Sequence, residues 1–135
     1  MTDRITGTFD VRMTPQPMHD AATDGGIGRM SLDKRYHGAL DATGVGEMLA
    51  ARSAIPGSAG YVAMERVDGT LAGRTGSFVL QHTGTMDRGT PTLSVTVVPD
   101  SGTDGLVGLS GRLAIRIEDG QHWYDFDYTL GTTHA

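Results

Sequence analysis

Asp119-Gly120 stands between two runs in which apolar and polar residues alternate. Asp-Gly is a favoured pair for a two-residue type I′ turn, whose twist matches that of the strands it joins. The turn fixes the register: Glu118 faces Gln121, Ile117 faces His122, Ile115 faces Tyr124 and Leu113 faces Phe126. The other face pairs Arg116 with Trp123, a cation over an aromatic ring, and Arg112 with Asp127, opposite charges. A slip of one residue would lose both patterns at once. His122 and Tyr124 therefore point inward.

The rest of the chain repeats this design. Turn signals recur about every ten to fifteen residues, the spacing of a sandwich or barrel. The 20 glycines and many threonines suit turns and strands rather than helices. Eight strands are expected, at 4–13, 28–39, 44–53, 60–67, 71–85, 91–98, 109–118 and 121–131. In the first, Ile5, Phe9, Val11 and Met13 share one face. Residues 44–54 also read as a short helix. Residues 14–26, with Pro15 and Pro17, read as one loop placed to cap a barrel mouth. A hairpin over Asp87-Arg88-Gly89-Thr90 pairs His82 with Val95 and Leu80 with Val97. Gly73 and Gly76 suit a bulge or a sharp bend.

The expected fold is all-β, a single domain over 1–135: a closed or nearly closed eight-stranded antiparallel up-and-down β-barrel, since closure removes exposed edges. A barrel of this size is either filled by side chains or holds one small ligand. Gly7, Gly38, Ala63, Gly84 and Gly111 are small inward positions, which favours a cavity.

The formal charge of −5 argues against nucleic-acid and anionic-membrane partners. No apolar run approaches the ~20 residues of a membrane span. The first residues lack an apolar signal core, so a cytoplasmic protein is expected. The absence of cysteine removes disulfides and thiolate chemistry.

Inward polar groups carry the candidate chemistry. His82 and His122 can move protons near neutral pH, and Glu65, if inward, is a third candidate catalytic group. Tyr124, Tyr128 and Tyr36, with Phe78, Leu80, Phe126 and Met64, are the expected ligand-binding residues. Each polar group has a structural alternative, a satisfied core hydrogen bond. For Glu65 that alternative is a pair with Arg74. Two histidines and a carboxylate can bind a metal, but no spacing motif supports one, and neither metal nor cofactor is expected. Lys34, the only lysine, lies in phase with Met30, Leu32 and Tyr36. An inward lysine suggests an amine nucleophile, whereas a strand-end lysine reaching for water is commoner. The acidic run Pro99–Gly105 lacks the calcium-loop spacing and reads as a turn.

Three segments resemble an uncharacterised bacterial family: Glu65-Arg66-Val67-Asp68-Gly69-Thr70-Leu71-Ala72-Gly73-Arg74-Thr75-Gly76-Ser77-Phe78-Val79-Leu80-Gln81-His82-Thr83-Gly84, the run Val97–Gly111, and Asp119-Gly120-Gln121-His122-Trp123-Tyr124. Members are small single-domain proteins, common in actinobacteria, with a barrel similar to that of allene oxide cyclase. The resemblance is specific over residues 61–130 and weaker before them. It implies the barrel without supplying an activity. By fold analogy it suggests a cofactor-free isomerase or cyclase of lyase type, acting in specialised metabolism. The leading expectation is a barrel that binds a small apolar molecule and isomerises or cyclises it. The alternatives are a non-catalytic carrier or self-protection protein, and a filled structural barrel. A homo-oligomer stays open.

Overall fold

The computed structural model describes residues 2–20 and 26–131. Eight antiparallel strands form a closed barrel in sequence order: β1 (Asp3–Gln16), β2 (Ile27–His37), β3 (Leu40–Arg52), β4 (Ala59–Leu71), β5 (Arg74–Asp87), β6 (Thr90–Val97), β7 (Leu109–Glu118) and β8 (Gln121–Leu130). β1 closes the ring against β8, with Gly7 opposite Tyr124.

The two hairpins derived from the sequence are present with their registers: Ile115 opposite Tyr124 and Leu113 opposite Phe126 in one, His82 opposite Val95 and Leu80 opposite Val97 in the other. Arg116 lies 5.3 Å from the Trp123 ring. Arg112 does stand opposite Asp127, but the Asp127 carboxylate is taken by Arg4 on the neighbouring β1, at 2.5 Å.

Several expectations are corrected. Residues 44–54 are not helical: β3 pairs along its length with β2 and β4. Its alternation of inward Ala42, Gly44, Gly46, Met48 and Ala50 outweighs the helix propensity of Met48-Leu49-Ala50-Ala51. β1 runs beyond Met13 to Gln16, so the 14–26 segment is partly strand. Residues 21–25 of that segment, and with them part of the expected mouth cap, lie outside the described residues. The β4–β5 turn is at Ala72-Gly73, both with positive φ, rather than near Asp68-Gly69. Gly73 is thus a turn residue, and Gly76 stays in the ladder opposite Gly69.

Gly7, Gly38 and Gly111 do not leave a cavity where they stand, whereas Gly84 borders the open part of the barrel. A Cβ on Gly7 would sit 2.5 Å from the Tyr124 hydroxyl, and one on Gly111 would sit 2.9 Å from the Phe126 ring. A Cβ on Gly84 would meet the Tyr61 ring at 2.3 Å. The glycines make room for large aromatic neighbours, as close packing requires. Tyr36, Phe78, Tyr124, Phe126, Leu40, Leu71 and Leu80 fill one half of the barrel. The Pro99–Gly105 segment helps close that end. It leads through a 3-10 turn, Asp104–Leu106, that buries Leu106, and Thr103 Oγ1 binds Ser77 Oγ at 2.8 Å. Among the described residues the opposite end, where the β3–β4, β5–β6 and β7–β8 connections lie, is open.

Among the described residues no helix is long and apolar enough to cross a membrane.

Candidate functional site

Between the packed half and the open half lies a buried polar cluster. Glu65 on β4, His82 on β5 and Lys34 with Tyr36 on β2 all point inward because each shares the parity of its strand's core residues. Glu65 is 0% exposed, His82 2% and Lys34 8%. Glu65 Oε1 accepts hydrogen bonds from Lys34 Nζ and His82 Nε2, each at 2.9 Å, and Oε2 accepts one from the Tyr36 hydroxyl at 2.5 Å. Because an ionised carboxylate only accepts, His82 carries its proton on Nε2. Gly44 makes the cluster fit: a Cβ there would lie 2.0 Å from Glu65 Oε2.

Burial pushes the Glu65 carboxyl up. The His82 hydrogen bond, the Lys34 charge and the hydrogen bonds from Tyr36 and Lys34 outweigh it, and the carboxyl stays below the ordinary carboxylate range. Burial, and then the Glu65 charge, hold the Tyr36 phenol well above its ordinary range. The cluster thus contains a fixed carboxylate and a phenol that keeps its proton. Lys34 also lies 5.1 Å from the Phe9 ring and 5.8 Å from that of Tyr36, so its charge rests on aromatic faces as well.

These shifts set a pH dependence. A lowered Glu65 pKa adds stability that is complete above the ordinary carboxylate range and lost as pH falls below about 4. A raised Tyr36 pKa adds stability that is lost as pH rises above about 10, where the unfolded chain ionises. The lowered Glu47, Asp125 and Asp127 carboxylates contribute in the same acid window, but they sit in more exposed pairs that salt screens. Urea midpoints measured from about pH 3 to pH 11 in high salt should therefore fall at both ends. The acid limb should flatten in Glu65→Gln, and an unchanged acid limb in that variant would refute the assignment.

The structure brings together two of the three expected catalytic residues, His82 and Glu65, and adds Lys34 and Tyr36. Lys34 does not reach for water, and the partner of Glu65 is Lys34 rather than Arg74, which lies at the β4–β5 turn. His122 stands apart: its ring packs against Phe9 with centroids 5.2 Å apart, and it makes no hydrogen bond to Glu65. Tyr124 is committed to the backbone, donating to the His37 carbonyl at 2.9 Å and accepting from the Leu40 amide at 3.2 Å. Tyr128, Phe78, Leu80 and Phe126 belong to the packed half, where Phe78 stacks on Phe126. Met64 does not line the barrel interior; it borders an outer recess that His82 also touches. It is 49% exposed on the outer face of β4, beside Val62 and one residue out of phase with Glu65. Among the described residues no group of three or more His, Cys, Asp or Glu side chains could hold a metal ion. The third group on Glu65 besides His82 and Tyr36 is an ammonium.

Above the cluster the open half forms a cleft of about 680 Å³. Met30, Met48, Tyr61, Met86, Leu93 and Ile115 line it, and among the described residues no carboxylate does. His82 is the cluster member nearest along its strand, because the next inward residue of β5, Gly84, lines the cleft. On one side the cleft reaches the barrel wall. β6 and β7 pair only at Thr96 and Arg112, and beyond that bridge Thr92 and Leu93 face Ile115 and Arg116 across the cleft. The sequence held a signal for this lining: Met30, Met48, Tyr61 and Met86 all share inward parity and all lie towards the same barrel end.

No curated protein matches the chain. The crystal structure of a protein of unknown function from the DUF3224 family from Shewanella oneidensis MR-1 is similar to it, with a TM-score of 0.93 and 50% sequence identity over 98% of this chain and 100% of that one. A family model described as "Protein of unknown function (DUF3224)" matches residues 5–128. The chain, a closed eight-stranded barrel with a buried Lys–Glu–His–Tyr cluster beneath an apolar cleft, belongs to the DUF3224 family.

Proposed function

We propose that this protein binds a small apolar molecule in the open half of its barrel. The observation that carries the reading is the cleft itself: about 680 Å³ of space walled by methionine, leucine, isoleucine and a tyrosine. Mostly apolar clefts with a few polar groups are the usual form of small-molecule sites, and methionine gives an adaptable wall. A barrel packed solid throughout would have removed this reading.

Isomerisation or cyclisation of the bound molecule is a second reading, favoured by the position of His82. It lies one inward position along β5 from Gly84, a cleft residue, and its ring is held by an ionised carboxylate, which fixes its tautomer and orients it. A shaped apolar cavity with one or two oriented hydrogen-bonding groups suits a reaction that needs a folded substrate more than a cofactor. A likeness to allene oxide cyclase belongs to this reading, as do a role in specialised metabolism of actinobacteria and a cytoplasmic location. The carrier reading needs the cleft alone.

The neutral fluorophore N-phenyl-1-naphthylamine tests the binding step. The wild-type protein should enhance its emission saturably at micromolar concentrations, and Ala50→Trp, which fills the cleft, should weaken binding at least about tenfold. Equal binding by both proteins would place the probe elsewhere. His82→Gln then separates the two readings: a carrier keeps its affinity and has no turnover to lose.

A further inference from the structure

The cleft is apolar but not neutral in its fittings. Two cations, Arg52 and Arg116, line it. Arg116 is already engaged, with Asp125 at 2.9 Å and Glu118 at 2.8 Å, and its guanidinium stacks on Trp123. Arg52, the last residue of β3, makes no ion pair or side-chain hydrogen bond among the described residues. Asp87 shares an outer recess with Arg52 but is not ion-paired to it. The chain as a whole is acidic, so an unengaged arginine beside a cleft that no described carboxylate lines is a local exception to the surrounding charge.

Shape adds a second constraint. β3 and the β6–β7 gap lie on opposite sides of the ring, because the strands run around it in sequence order. The cleft extends from Arg52 on one side to Leu93 and Ile115 on the other. The lining thus runs from a cation on one side to an apolar wall on the other.

Resting on the binding reading above, we infer that the ligand is an apolar molecule with one acidic group, its carboxylate at Arg52 and its apolar body directed towards the gap between β6 and β7. The opposite orientation would bring the acid to Leu93 and Ile115, beside Arg116, whose guanidinium is already held by Asp125 and Glu118. A guanidinium suits the acid because its fork matches a carboxylate and it keeps its charge at any physiological pH.

The test is displacement of N-phenyl-1-naphthylamine by three probes of one chain length: dodecanoate, dodecanol and dodecylammonium. In the wild type the acid should displace the fluorophore about threefold to tenfold better than the alcohol, and the ammonium should be the weakest, as for a partly exposed ion pair at the edge of an apolar site. Arg52→Gln should abolish the preference for acid while leaving the alcohol unchanged, and Arg52→Lys should keep part of it. Raising the salt concentration should shrink the preference without affecting the alcohol. Equal displacement by acid and alcohol in the wild type would overturn the inference, as would a preference that survives Arg52→Gln. If the fluorophore does not bind the wild type at all, the binding reading itself fails, a different result from binding without charge preference.

Discussion

Glu65→Gln should destabilise the protein by about 3–5 kcal/mol, because it leaves the Lys34 ammonium buried without its counter-charge. The native pair is tolerated because Glu65 meets three donors and Lys34 also rests on Phe9 and Tyr36. Glutamine keeps the size but removes the charge, and its amide hydrogens replace an acceptor. For a domain of this length the loss corresponds to a fall in Tm of about 10–20 °C. Lys34→Met alone should also destabilise, since it strips the carboxylate of its cation. The double variant Lys34→Met/Glu65→Gln should recover more than half of the single-variant loss, because no uncompensated charge remains. Urea denaturation of the four proteins gives the coupling directly. If Glu65→Gln lies within 1 kcal/mol of wild type, or the double variant merely sums the singles, the cluster is not a coupled ion pair.

Gly7→Ala should cost about 3 kcal/mol, a large effect for one methyl group on a strand. The added Cβ would fall 2.3 Å from the His37 carbonyl oxygen and 2.5 Å from the Tyr124 hydroxyl. That hydroxyl ties β8 to the β2–β3 turn through the His37 carbonyl and the Leu40 amide. The methyl group therefore forces out a ring and breaks its hydrogen bonds together. Tyr124→Phe, which loses only the hydroxyl, should cost about 1 kcal/mol. Chemical denaturation separates the two cases: similar losses in both variants would mean that the ring is not displaced.

Much of the barrel was legible in the chain, and the reason is local. The Asp119-Gly120 turn and the Arg88-Gly89 turn each pin a register, and once one pair is fixed every other pair in the hairpin follows. The strand bounds expected at 67 and 71 put the β4–β5 turn too early, because Asp68-Gly69 looks like a turn, whereas the chain reverses at Ala72-Gly73. Face was legible in part. The parity of His82 on its strand places it inward, and the structure agrees; for Glu65 and Lys34 the sequence left the face open, and the structure turns both inward. Their meeting was not legible. Parity says which side of the sheet a residue occupies, but not its height in the barrel. Height depends on the accumulated stagger of β2, β3, β4 and β5. No short-range signal gave the β2–β3 register that brings Lys34 opposite Gly44, or the β3–β4 register that brings Gly46 opposite Glu65. For the same reason an inward glycine looks like empty space in the sequence, whereas a ring lies over Gly7 and Gly111. Which aromatic ring lies over Gly7 or Gly111 is a question of height again.

The single bridge between β6 and β7 has a consequence for how this ring holds together. Elsewhere each strand is bonded to its neighbour along most of the shared length, including β1 with β8, which joins the two ends of the chain. The covalently remote contact is therefore well zipped, and the weak link falls between two strands connected by the Val98–Gly108 segment. Breaking Thr96–Arg112 turns the cylinder into a curled sheet with the order 7-8-1-2-3-4-5-6 and no other pairing disturbed. Amide protons along that edge report the least costly opening of the molecule. The fold is in effect a sheet fastened by one clasp, set beside the cleft.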